Sequence, residues 1–187
     1  MGDLLVVGLD VSLTGTGIAD SDGRCTTIGR KGVTRLPLHL RWQALSALGH
    51  EIWRWTGIRA RGRPALVVFE GLEALAGSKA SAVNERAFLW WWLMGAAVET
   101  CGQVVSIAPR KLKVIATGSG VAEKGDVVAA AVRWDKWPDL GRDGNRADAA
   151  ALCVAGAILA KNPIVALQGR QLQALDGVEI LRGGELQ

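Results

Sequence analysis

At 187 residues the chain is most simply one domain with room for a real core, and 49% apolar against 21% charged residues argues against a disordered or fibrous polypeptide. A net charge of +4 is compatible with a polyanionic partner without identifying one. Cys25, Cys101 and Cys153 are isolated and there are only two histidines, which argues against a disulfide framework or a zinc site and suits a reducing, cytoplasmic interior. The opening residues do not read as a secretory leader, and no uncharged run is long enough to span a bilayer.

Leu4 to Leu9 is an apolar run without alternation, which predicts a strand buried on both faces. Asp10 ends that strand, where an ionised carboxylate needs a counter-charge or a metal, or else caps a turn. Gly15 and Gly17 permit a tight turn into a strand over Gly17 to Ala19. Ser21-Asp22-Gly23 is a further turn signal, so Cys25 to Val33 completes an antiparallel meander. After Pro37 a helix is expected over Leu38 to Thr56, with Trp42, Leu45, Leu48, Ile52 and Trp55 on one stripe that core packing explains. The connector from Arg59 to Pro64 reads as solvated basic surface.

Ala65 to Phe69 is a second buried strand, and it too ends in a carboxylate, Glu70. A loop from Gly71 to Ser78 leads to a helix over Lys79 to Thr100. Its second half, Ala87 to Val98, is apolar all round and must be buried centrally or against another subunit. Gln103 to Ile107 predicts a strand, and Pro109 starts a short helix broken at Gly118-Ser119-Gly120. Ala122 to Trp134 is helical again, Asp139 to Gly144 is a polar loop, and Ala147 to Ala160 is an Ala-rich closing helix. The whole reads as α/β: one unit over residues 1–161 and an accessory tail of little periodicity over 162–187.

Two buried strands ending in Asp10 and Glu70, with Asp148 near the start of the last helix, form an ordered acidic set. Three converging carboxylates repel, so they raise one another's pKa or take up divalent cations. Oxygen-only ligation suits Mg²⁺, with Mn²⁺ as a substitute. Two such ions about 4 Å apart stabilise the attacking and leaving oxygens of phosphodiester hydrolysis.

Together with Ile107-Ala-Pro-Arg-Lys-Leu-Lys113 through Lys124 and Asn145-Arg-Ala-Asp148-Ala149, this set resembles the RuvC family of Holliday junction resolvases. The resemblance runs from about Leu4 to Ala160. It implies a ribonuclease H-like fold, a central mixed five-stranded sheet flanked by helices. It also implies Mg²⁺-dependent paired nicking of four-way junctions by a homodimer joined through the helix over 79–100. Asp10, Glu70 and Asp148 match the family's catalytic metal ligands, and Asn145 falls where the family has a metal-linked residue, commonly Asp. Lys113 and Lys124 match two family lysines that support phosphate contact and activity; Arg110 and Lys111 lie in the same basic segment. The family's loop after the Glu reaches the junction centre, often through an aromatic residue. Here that loop offers only Leu72, Leu75 and Lys79, and Asp10-Val-Ser12 replaces the usual Asp-Pro-Gly.

Several readings stay open at this level. Asn145 is a metal ligand or the cap of its helix. Leu72 and Leu75 wedge an opened junction or pack beneath the helix. Trp134 and Trp137 stack on bases or cover the core edge. Asp20, Asp22, Asp126 and Asp143 read as surface charges. Among functions, the alternatives are a less selective branched-DNA or flap nuclease and a catalytically silent nucleic-acid-binding module of the same fold. A sugar-kinase or actin-like ATPase also opens on an Asp and a Gly/Thr-rich turn, but needs a second domain and a second phosphate loop.

Overall fold

The computed structural model describes residues 4–72 and 80–183, and β1 (Leu5–Asp10) runs through the middle of its sheet. The strand order is β3-β2-β1-β4-β5-β6. β2 (Thr16–Asp20) and β3 (Cys25–Ile28) continue β1 as an antiparallel meander, while β4 (Ala65–Glu70) and β5 (Gln103–Ile107) run parallel to it. These are the five strands expected. A sixth, β6 (Leu181–Arg182), comes from the tail and pairs antiparallel with β5, Val104 opposite Leu181. Two residues of edge pairing carry no periodicity, so the sequence holds no sign of it.

Parallel strands require crossovers, and helices supply them. α1 (Leu38–Thr56) and the single turn α2 (Ile58–Arg61) carry the chain from β3 to β4; α3 (Ala80–Cys101) carries it from β4 to β5. Both lie on one face of the sheet, where Leu48, Ile52, Leu89 and Leu93 meet Leu5, Val7, Leu9, Val67 and Phe69. The alternate residues Val6, Leu66 and Val68 point to the other face. There α4 (Pro109–Thr117), α5 (Lys124–Arg133) and α6 (Gly144–Leu159) cover them. α6 packs unusually close to β1 because it presents Ala and the strand presents Gly. A Cβ on Gly8 would collide with the Ala149 carbonyl oxygen, and one on Gly17 with that of Asn145.

Four sequence expectations change. Asp20 is fully buried, not a surface charge: it pairs with Arg24 at 2.8 Å and Arg61 at 3.0 Å and accepts the backbone N–H groups of Asp22 and Arg24. The supposedly solvated basic connector is therefore structural, and Arg61 and Arg63 also bind Asp22. α6 begins at Gly144, three residues early, because Asp143 is its cap, accepting from the backbone N–H groups of Asn145 and Arg146. Asp126 stays exposed, as expected of a surface charge, and forms a reciprocal capping box with Glu123 at the start of α5. Finally, Trp42 departs from the α1 stripe, being 60% exposed, although Leu45, Leu48 and Ile52 are buried as expected. Trp137 is buried over the core edge and donates its indole N–H to the Asp20 carbonyl. Among the described residues no helix is long and apolar enough to cross a membrane.

Candidate active site

Strand alternation decides where the acidic residues go. Leu9 and Phe69 pair across β1 and β4 and face α1 and α3. The next residue on each strand, Asp10 and Glu70, therefore turns towards α6. Because the strands are parallel, both carboxylates emerge at the same edge, the C-terminal edge where open α/β sheets bind ligands. The close seat of α6 on β1 and β2 brings Asp148 over them. The turn after Asp10 is locked by Thr16, whose hydroxyl donates to the Ser12 carbonyl at 2.6 Å and accepts the Ser12 N–H at 3.1 Å.

The electrostatics are those of a crowded acidic pocket. Burial, then Glu70, then Asp148 push the Asp10 carboxyl up to about 8, against the opposing pull of Lys124 and Arg86. Glu70 is raised by burial and by Asp148, and shares a side-chain hydrogen bond with Asp10. Asp148 is raised by burial, with Lys124 opposing. Burial and mutual repulsion thus favour holding a proton within the Asp10, Glu70 and Asp148 cluster, and a bound cation would relieve the same repulsion. By contrast, burial raises Asp143 less than its hydrogen bonds from Thr27 and two backbone amides lower it, so it stays below the ordinary carboxylate range.

Cationic side chains ring the pocket. The Lys124 ammonium donates to Asn145 Oδ1 at 2.7 Å and lies 3.6 Å from Asp148 Oδ2. Arg86 reaches from α3, donating to the Val11 carbonyl at 2.8 Å with a terminal nitrogen 3.7 Å from Glu70 Oε2. Trp90, one turn further on, donates its indole N–H to the Glu70 carbonyl at 2.8 Å. Neither contact was anticipated from the sequence. The available signal was Glu85-Arg86, an adjacent charged pair just before the apolar run of the helix; Glu85 is buried against Arg41.

The other candidates separate. Lys113, on α4, is close enough to pull the Asp148 pKa down. Arg110 and Lys111 lie on the same helix, but the Lys111 ammonium donates to the Asp176 carbonyl of the tail. Leu72 is half-buried and packs against the α1–α3 core. Leu75 and Lys79 lie outside the described residues. Asn145 does not cap α6; Asp143 does.

Asp10, Glu70, Asp148 and the Asn145 amide oxygen form an oxygen-only donor set whose self-repulsion a divalent cation relieves, which fits Mg²⁺ or Mn²⁺ chemically. Among the described residues, however, no three acidic, His or Cys groups close into a ready-made cage. Lys124 occupies the oxygens of Asn145 and Asp148, so taking up a cation requires these side chains to shift.

A mixed sheet of this order, helices on both faces and acidic residues at the parallel strand ends, defines a ribonuclease H-like α/β fold. Within that class it has the fold of RuvC. Thermus thermophilus RuvC superimposes with a TM-score of 0.60 over 84% of this chain and 95% of that one, at 20% identity. T. thermophilus RuvC in complex with Holliday junction substrate gives 0.61 over 87% and 98%, at 18% identity. No family model and no curated protein sequence matches the chain.

Proposed function

We propose that the chain is a structure-specific DNA endonuclease that resolves four-way junctions by paired nicks and depends on Mg²⁺, which Mn²⁺ replaces. The observation that carries this reading is the mutual approach of Asp10, Glu70 and Asp148, with Asp10 pushed up to about 8. A buried Asp10 with the partly buried Glu70 and Asp148 beside it is a costly cluster that serves no packing purpose. Its RuvC-like fold, and the junction-bound state of one structural neighbour, favour branched DNA as the substrate.

In this reading Asp10, Glu70 and Asp148 hold the cation, with Asn145 able to add a neutral oxygen. When bound, the cation neutralises the phosphate and lowers the pKa of an attacking water. Arg86 and Trp90 fix Glu70 from behind. Lys124, exposed and 3.6 Å from Asp148, and Lys113, which also acts on Asp148, neutralise backbone phosphates, so affinity falls with salt. Paired nicks on a two-fold symmetric junction need two such sites. The exposed apolar face of α3, with Trp91 60% and Val98 38% exposed, is the surface through which a homodimer forms.

Incubating the protein with Mg²⁺ and labelled four-way junction, fork, flap, duplex and single-strand substrates tests the reading. Symmetric nicks confined to the four-way junction are expected. Equal cleavage of flaps and forks indicates a less selective branched-DNA nuclease, and tight junction binding without any cleavage a silent binding module.

A further inference from the structure

The tail builds a feature that the site above does not use. Between residues 162 and 183 the chain returns to α4, buries Leu167 and Leu175, and forms the single turn α7 (Arg170–Gln173). The Gln171 amide donates to the Ile115 and Ala116 carbonyls at the end of α4, which holds the tail in place. Two cavities result, of about 430 and 750 Å³, and they share Gly118 and Arg170 in their walls. They lie side by side across that shared wall. The larger reaches Ala108, next to Ile107, which pairs with Glu70, and the smaller reaches Arg133 and Trp134.

The lining chemistry is one-sided. Arg110, Lys111, Arg170 and Arg133 line the two cavities, neither of which holds an acidic side chain; Asp126 and Glu179 line the neighbouring cavities that share Arg133 and Lys111 with them. Among the described residues the guanidinium groups of Arg133 and Arg170 have no hydrogen-bond or ion-pair partner. Trp134, half-buried and braced edge-on by Trp137 at 6.3 Å between centroids, lines the smaller cavity. A cationic lining beside an aromatic ring is the chemistry that holds phosphates and stacks a base. Cavities of this size enclose ligand-sized units, not a duplex.

We propose that these adjoining cavities bind a single-stranded DNA segment, its phosphates on Arg110, Arg170 and Arg133 and a base against Trp134. The choice of DNA rests on the nuclease reading above; the cavities themselves do not depend on it. A strand leaving the candidate active site would thereby be led across α4 to the tail.

The test is binding of a fluorescent oligothymidylate in EDTA, followed by anisotropy across a salt series, so that no cleavage is involved. The full-length Arg133→Ala/Arg170→Ala variant removes two exposed, unpartnered charges. Affinity should fall about tenfold, and the log–log salt slope should flatten by about 1.4, the effect of two single-strand phosphate contacts. Arg30→Ala/Lys31→Ala removes the same charge from the exposed meander and should leave the slope unchanged. Equal losses in both variants, or none in the first, would overturn the proposal. So would competition by thymidine monophosphate at the oligonucleotide's own affinity, which would make the site a mononucleotide pocket. Failure of junction cleavage leaves this measurement intact, so the two readings fail separately.

Discussion

Lys124 donates a 2.7 Å hydrogen bond to Asn145 while lying 3.6 Å from Asp148, so one ammonium group restrains two candidate metal-site oxygens. Capping of α6 is already done by Asp143, which frees Asn145 from that duty. Asn145→Asp adds a fourth carboxylate to the pocket. It should lower the Mg²⁺ concentration for half-maximal cleavage severalfold, whereas Asn145→Ala should raise it and leave the melting temperature within about 2 °C. A Mg²⁺ titration of junction cleavage, with a thermal melt of each variant, checks both.

The same lysine is exposed beside Asp148. Lys124→Ala should reduce cleavage about 100-fold, comparable to loss of one preorganised transition-state contact, and flatten the salt dependence of DNA binding. Single-turnover rates and binding isotherms across salt measure the two effects.

Asp10 sets a pH dependence that needs no DNA. Its proton is bound in the folded chain up to about 8 but leaves the unfolded chain near 3.8. The folded state therefore binds more protons between these values, and this contribution to stability is full below the lower one and lost as pH rises through the upper. Metal-free protein should melt at progressively lower temperature from about pH 5.5 to 8.5. Mg²⁺ should restore the loss, most strongly at the alkaline end. Asp10→Asn should melt higher than the parent above neutrality, with a flatter profile. Differential scanning fluorimetry across pH, with EDTA and with Mg²⁺, reads all three.

Assembly has its own test. Trp91 on α3 and Trp42 on α1 are each 60% exposed, an unusual position for so large an apolar surface. Trp91→Glu should convert a dimeric mass in light scattering to a monomeric one and abolish paired nicking, while single nicks persist.

Which parts of this molecule could be read from residues alone follows from physics. Long apolar runs and helical stripes are visible because burial repeats with the period of the element: β5 and α1 fall where their patterns put them. Asp10, Glu70 and Asp148 stand out in the sequence because an acidic residue at the end of a buried strand or in an apolar helix is costly without a partner. Asp20 looks identical in sequence, yet it is an internal salt-bridge centre, because its arginine partner Arg61 lies 41 residues away. Arg86 was hidden for the same reason: its meaning depends on α3 crossing the ends of β1 and β4. The tail escaped because a two-residue strand and one helical turn leave no periodic trace. Asn145 was misread as a possible cap because Asp143, two positions earlier, passed for a surface charge.

In the proposed function, Asp10, Glu70 and Asp148 together support divalent-cation-dependent hydrolysis of DNA. The most direct test is single-turnover cleavage of a labelled four-way junction in Mg²⁺ by the parent protein and by Asp10→Asn, with junction affinity measured in parallel. The parent should make paired, symmetric nicks. Asp10→Asn should cut slower by about three orders of magnitude while binding the junction as tightly and remaining folded. Cleavage by Asp10→Asn at the parent's rate would remove Asp10 from the reaction and overturn the proposed metal site.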